Sequence, residues 1–223
     1  MTGHSHRILI GSLGWQFDDW QDSFYPEDLP LEWRLGYYSN EFPLAVITDK
    51  ERQDETELLE SLDDCREDIL LLLSVAITQP DDSASGLACR LARQFPRQAG
   101  LLLQVDPSVI ADPDAWLERV AIECEELPLC ILPLAPLNEQ WRAALQSRKI
   151  GWGWNNHTGS DGLGVGPLAI MQVEQGATPR ELRERLEAGL AVSDEQRHVG
   201  LMFTGEPPSI EAMRQARTLD ELM

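Results

Sequence analysis

Short apolar runs alternate with amphipathic segments from one end of this chain to the other. The runs that read as strands lie at 7–12, 44–48, 69–78, 100–106, 129–133, 149–155, 168–174 and 198–204. Most are continuously apolar, as in Leu70 to Leu73 and Leu101 to Leu103, which is how parallel strands buried on both faces read. Eight of them is the number a closed barrel needs.

The segments between them carry helix signals. Asp112 is placed to cap a helix whose first residue is Pro113, with Trp116, Leu117, Val120 and Ala121 on one face. Thr178, Pro179 and Glu181 form a capping box, after which Leu182, Leu186 and Leu190 recur every fourth residue. Leu137, Trp141 and Leu145 repeat that spacing, as do Leu87, Leu91 and Phe95. A first helix is expected over 31–42 and a last one over 209–222. Strict strand–helix alternation implies a parallel sheet with right-handed crossovers. The unit after the sixth strand is the exception, because His157 to Gly166 is too rich in glycine to supply a helix. The expectation is one α/β domain over 1–223, a compact TIM-type (β/α)8 barrel with one helix missing or reduced. A doubly wound open sheet is the structural alternative.

Composition narrows the partners. Hydrophobic residues make up 43% of the 223 and charged residues 25%, enough for a packed core. The net charge of −20 repels phosphate backbones, and no basic patch offsets it, so nucleic acid is not an expected partner. The densest charge run, Glu51 to Asp68, reads as the solvated face of a helix with Leu58, Leu59 and Leu62 beneath it. No apolar stretch approaches the roughly 20 residues needed to span a bilayer. The polar start offers no secretory signal, and the four cysteines form no C-x-x-C pair. A cytoplasmic protein with reduced thiols follows as the expectation.

The N-terminal region carries the densest motif. Ile10, Gly11, Ser12, Leu13, Gly14 and Trp15 are followed by Phe17, Trp20, Phe24, Tyr25 and Pro26, then by Leu35, Tyr37, Tyr38 and Phe42. This resembles the opening of the YecE-like family, a domain-of-unknown-function family, I-G-T-S-G-W-x-Y-x-x-W-x-x-x-F-Y-P with L-x-Y-Y-A-x-x-F after it. Leu101 to Pro107 is similar to that family's L-L-F-Q-L-P-P strand. The resemblance implies a TIM-type barrel, in agreement with the strand count. It also marks departures. The family's V-E-I-N is replaced by Ala45 to Thr48, its E-x-R-H by Cys130 to Pro133, and its Y-x-R-x-H-G by Ile170 to Glu174. Most of the polar groups that the family aims into its barrel mouth are therefore missing from this shortened, divergent chain.

Ligands of such barrels bind at the C-terminal ends of the strands. Residues expected there are Trp15, Asp18, Asp19, Trp20, Asp49, Arg52, Gln104, Asp106, Trp152, Trp154, Asn155, Asn156, His157, Glu174 and Glu206. Indoles beside amides and carboxylates suit a polar ring, and Trp15, Asp18, Trp20, Gln104, Asn155 and His157 are the candidate ligand contacts. Trp15 and Trp20 serve equally well as a packed plug over the barrel end. Asp18, Glu174 and Glu206 are the weak catalytic candidates, as carboxylates usable for acid–base work. One mouth histidine, His157, is too few for a metal site, and no metal or cofactor is expected. The glycines at 159, 162, 164 and 166 lack the lysine and helix of a phosphate cradle, and read as a loop. Function is expected to be that of a degenerate binding or regulatory barrel with a small polar ligand or a protein partner. The alternative is a small-molecule hydrolase or lyase using the mouth carboxylates. Oligomeric state is left open.

Overall fold

The computed structural model describes residues 8–79, 84–95, 98–124 and 127–223; His4, His6 and Arg7 lie outside them. The eight strands are β1 (Leu9–Leu13), β2 (Leu44–Ile47), β3 (Leu70–Ile77), β4 (Gln98–Val105), β5 (Leu129–Pro133), β6 (Gly151–Trp152), β7 (Leu168–Val173) and β8 (His198–Phe203). All pair in parallel, in the order β6-β5-β4-β3-β2-β1-β8-β7. The two ends of that list meet through one residue. Trp154 donates its N–H to the Ile170 carbonyl at 2.9 Å and accepts from Gln172 N–H at 2.8 Å. This bridge nearly closes an α/β barrel of TIM type and excludes the open doubly wound sheet.

Around the strands run α1 (Arg34–Ser39), α2 (Glu55–Ser61), α3 (Ala84–Ala92), α4 (Pro113–Glu123), α5 (Glu139–Ser147), α6 (Pro179–Val192) and α7 (Ile210–Leu222). Their starts follow the capping residues. Asp54, Asp112, Asn138, Thr178 and Ser209 each accept a backbone N–H of the first turn, and Thr178 with Glu181 completes the capping box. Between β6 and β7 only a 3-10 turn, Ser160–Gly162, stands where a helix would be. A side chain on Gly162 would collide with the Trp152 indole and carbonyl, so the chain approaches this strand more closely than a helix could. Arg142 of α5 pairs with Asp161 to fasten the turn.

Two expected helices differ in detail. Leu31–Trp33 forms a 3-10 turn, and α1 is the short segment after it, ending before Phe42. In α3, Ala88, Cys89, Leu91 and Ala92 face the sheet while Leu87 is exposed, so its buried stripe is shifted from Leu87, Leu91 and Phe95.

Strand alternation sorts the core into two layers. Leu44, Val46, Leu70, Leu72, Leu102, Cys130, Leu132, Leu168, Ile170 and Met202 pack together inside the barrel. The opposite faces pack with the helices and the N-terminal aromatics. Burial in the interior layer pushes the Cys130 thiol up to about 12.

The thiol expectation needs correcting. Cys89 of α3 and Cys124, which follows α4, form a disulfide across 35 residues, while Cys65 and Cys130 are buried and lie outside it. Neighbouring helices on a barrel bring distant positions together, so the absence of a C-x-x-C pair was no guide. A cross-link of this span stabilises by about 4 kcal/mol through the unfolded chain. Urea unfolding with and without reductant is expected to show a loss of that order, and denatured unreduced protein should titrate with thiols only at Cys65 and Cys130.

Candidate functional site

The motif residues after β1 fold into an aromatic knot. Trp20 lies parallel to Tyr38 with centroids 6.2 Å apart, and Phe24 contacts Tyr25, Tyr37, Tyr38 and Phe42. The Trp20 indole N–H donates to the Pro208 carbonyl at 3.1 Å, tying the loop after β1 to the loop after β8. Tyr25 donates its hydroxyl to the Trp15 carbonyl at 2.7 Å. Tyr38 accepts from Ser12 N–H at 2.8 Å and donates to the Leu44 carbonyl at 2.9 Å, locking β1 to β2. Burial raises the pKa of both phenols above the ordinary tyrosine value, so they act as neutral hydrogen-bonding groups. Trp15 and Trp20 are 1% and 2% exposed. Both are packed into the knot, and Trp15 also borders a cavity toward α2.

The inward strand positions nearest the mouth form a different layer. Continuing the alternation past the apolar interior gives Ser74 on β3, Gln104 on β4, Gln172 on β7 and Thr204 just past β8. Gln104 donates to the Ser74 hydroxyl at 2.7 Å, and Thr204 donates to the Val173 carbonyl at 3.2 Å. By strand register Thr48 lies opposite Ser74, Leu132 opposite Gln104 and Leu13 opposite Thr204, so apolar residues of the interior layer interrupt the ring. This ring is polar in part and carries no titratable side chain.

The other candidates occupy the rim. Asn155 is buried, donates to the Pro133 carbonyl at 2.7 Å and accepts from His157 N–H at 2.9 Å, so it shapes the turn after β6. His157 itself is exposed. Asp18 is exposed and faces Arg34 at 3.4 Å. Glu174 is exposed and accepts from Asn156 at 2.6 Å, and Glu206 is exposed in the loop after β8. No hydrogen bond or ion pair joins these three carboxylates to one another. Trp152 is fully buried on the outer face, and Trp154 lies under the Arg185 guanidinium at 4.8 Å. The glycine loop directs its Gly164 and Gly166 carbonyls to Arg197, at 3.3 and 2.8 Å, and so offers oxygens to a cation rather than N–H groups to a phosphate. Among the described residues no group of three acidic, histidine or cysteine side chains could hold a metal, and no helix is long and apolar enough to cross a membrane.

One residue of the mouth carried no signal in the sequence. Glu51, read as part of a solvated acidic run, is 6% exposed. Its carboxylate accepts from Thr48 N–H at 3.0 Å, from the Thr48 hydroxyl, and from Trp15 N–H at 3.4 Å. It thereby joins the loops after β1 and β2. Gly14 has a φ of +80°, and a side chain there would meet Glu51 Oε1 at 2.9 Å. A cavity of about 260 Å³ opens beside Glu51, between Trp15 and α2. At the opposite end of the barrel, a cavity of about 760 Å³ is lined by Asp68, Gln98, Asp194, Glu195, Arg197 and His198 among others.

No protein-family model matches this chain. No characterised protein and no solved structure shows significant similarity to it either. The site is therefore read from its own chemistry.

Two outcomes follow from these groups. Glu51→Ala strips the acceptor from the Thr48 and Trp15 amides, and each buried donor left without a partner costs about 1–3 kcal/mol. Urea unfolding of that variant should show a loss in this range, with Glu51→Gln milder. At the other end, burial lowers the His198 pKa below the ordinary histidine value. A lowered folded-state pKa means the unfolded chain takes up the proton first, so this contribution is present above about pH 6.5 and lost as pH falls toward the folded value. The stability difference between the native chain and His198→Gln is expected to shrink from about pH 7.5 to about pH 5.5, read from paired denaturation curves.

Proposed function

We propose that this chain is a shortened, divergent YecE-like barrel that acts as a binding or regulatory protein, holding a small polar molecule at the C-terminal ends of its strands. The neutral inner ring carries this reading. Ser74, Gln104, Gln172 and Thr204 can donate and accept hydrogen bonds, but none can exchange a proton with substrate near neutral pH. Amides and hydroxyls above an apolar floor suit a polyol or sugar, whose hydroxyls both donate and accept. The hydrolase or lyase reading depends on Asp18, Glu174 and Glu206. These carboxylates are exposed, and Asp18 and Glu174 are already engaged by neighbouring side chains. General acid–base work calls for carboxyl groups held in contrasting surroundings, one apolar and one polar, whereas all three of these lie open on the rim.

A thermal-shift screen with sugars, sugar phosphates and polyols tests the proposal. A ligand at a hundred times its Kd adds about 2.7 kcal/mol, which is roughly 5–10 °C in Tm for a chain of this size. The shift is expected to vanish in Gln104→Leu and Gln172→Leu. A hit that survives both substitutions, or a turnover lost on alanine substitution of Asp18, Glu174 or Glu206, would sink it.

A further inference from the structure

The cavity beside Trp15 has a one-sided lining. Glu32, Glu51, Asp54 and Glu57 bring carboxylates to it, against one basic residue, Lys50. The Lys50 ammonium is held by the Gln16 carbonyl and lies 5.7 Å from the Phe17 ring centroid, so it is already engaged. Glu51 Oε2 is occupied by Thr48, whereas Oε1 has only the 3.4 Å contact with Trp15 N–H. A carboxylate oxygen accepts about two hydrogen bonds, which leaves Oε1 open to a cationic donor entering the cavity. Leu31 and Leu58 line the same space and can cover an alkyl stem. The volume of about 260 Å³ falls below the roughly 300–1,000 Å³ of small-molecule pockets and suits one long side chain.

The rim of the cavity adds apolar contacts. Leu31 and Trp33, 49% and 58% exposed, belong to the 3-10 turn that packs against α2. Large apolar groups left open beside an acidic cavity match a partner that is basic and apolar in alternation.

We propose that this surface docks a basic segment of a protein partner, with a lysine or arginine side chain against Glu51 and a neighbouring apolar residue on Leu31 and Trp33. The net charge of −20 draws such a segment toward the chain. The cavity then selects which part of the surface it occupies. None of Ser74, Gln104, Gln172 and Thr204 takes part, so this assignment and the mouth-ligand proposal fail independently.

The test is fluorescence anisotropy with the full chain and a dye-labelled peptide of alternating arginine and leucine. Glu51→Gln is expected to weaken binding roughly thirtyfold, the low end of what losing one partner of a desolvated charge pair costs. Leu31→Ser, which touches no hydrogen bond of the fold, is expected to weaken it several-fold and serves where Glu51→Gln disturbs the loops. Glu118→Gln on α4 removes the same charge elsewhere and should leave affinity within about twofold. Equal affinity for all three variants would mean general attraction to an acidic surface and would overturn the proposal. Displacement of the peptide by an equal concentration of free agmatine would also overturn it, by making the occupant a small cation.

Discussion

A parallel eight-stranded sheet leaves two edges of unpaired amides and carbonyls, and everything else in this protein depends on joining them. Barrels solve the problem by closure. Among the described residues closure falls to the backbone of Trp154, because β6 spans only Gly151–Trp152. The weak strand and the missing helix are one fact seen from two sides. With only a glycine-rich 3-10 turn outside it, Trp152 is sealed by Gly162 on one side and approached by Arg142 at 5.8 Å on the other. The buried Trp152 indole N–H has no acceptor among the described residues, a cost of the close packing that stands in for the helix. Arg197 steadies the same loop by taking the Gly164 and Gly166 carbonyls.

The opposite side of the barrel is held by aromatic packing and a small polar lock. Tyr38 places one hydroxyl between Ser12 of β1 and Leu44 of β2, and Trp20 reaches across to the loop after β8. Glu51 does for the loops what Tyr38 does for the strands. The motif that gave the chain its resemblance is therefore mostly scaffold. Its N-terminal part sets the positions of the loops at the mouth, while the polar inner positions Ser74, Gln104, Gln172 and Thr204 lie on or just past later strands.

This division explains what could be read from the residues alone. The strands were legible because burial on both faces demands uninterrupted apolar runs, and the caps at Asp112 and Thr178 were legible because a short polar side chain before proline has few other uses. The extent of α1 was not, since Leu31, Leu35 and Tyr38 satisfy a helical spacing whether or not the first turn is α-helical. Leu87 misled for a related reason: in α3 the small residues Ala88 and Cys89 face the sheet, and their size hides the stripe. Gln104 stood out as a polar residue in an apolar strand. Ser74 and Thr204 did not, because only strand alternation within a closed barrel turns them inward. Glu51 was hidden by its acidic neighbours, and its burial comes from a contact with Trp15, 36 residues away.

The disulfide between α3 and α4 also changes the connectivity of the molecule. It turns the stretch from Cys89 to Cys124, which contains the whole of β4 and α4, into a covalent ring set in an otherwise linear polymer. A peptide bond cut within that ring opens the ring but does not divide the molecule. The two pieces travel together until the sulfurs are reduced, whereas a cut anywhere else separates them once the fold is lost.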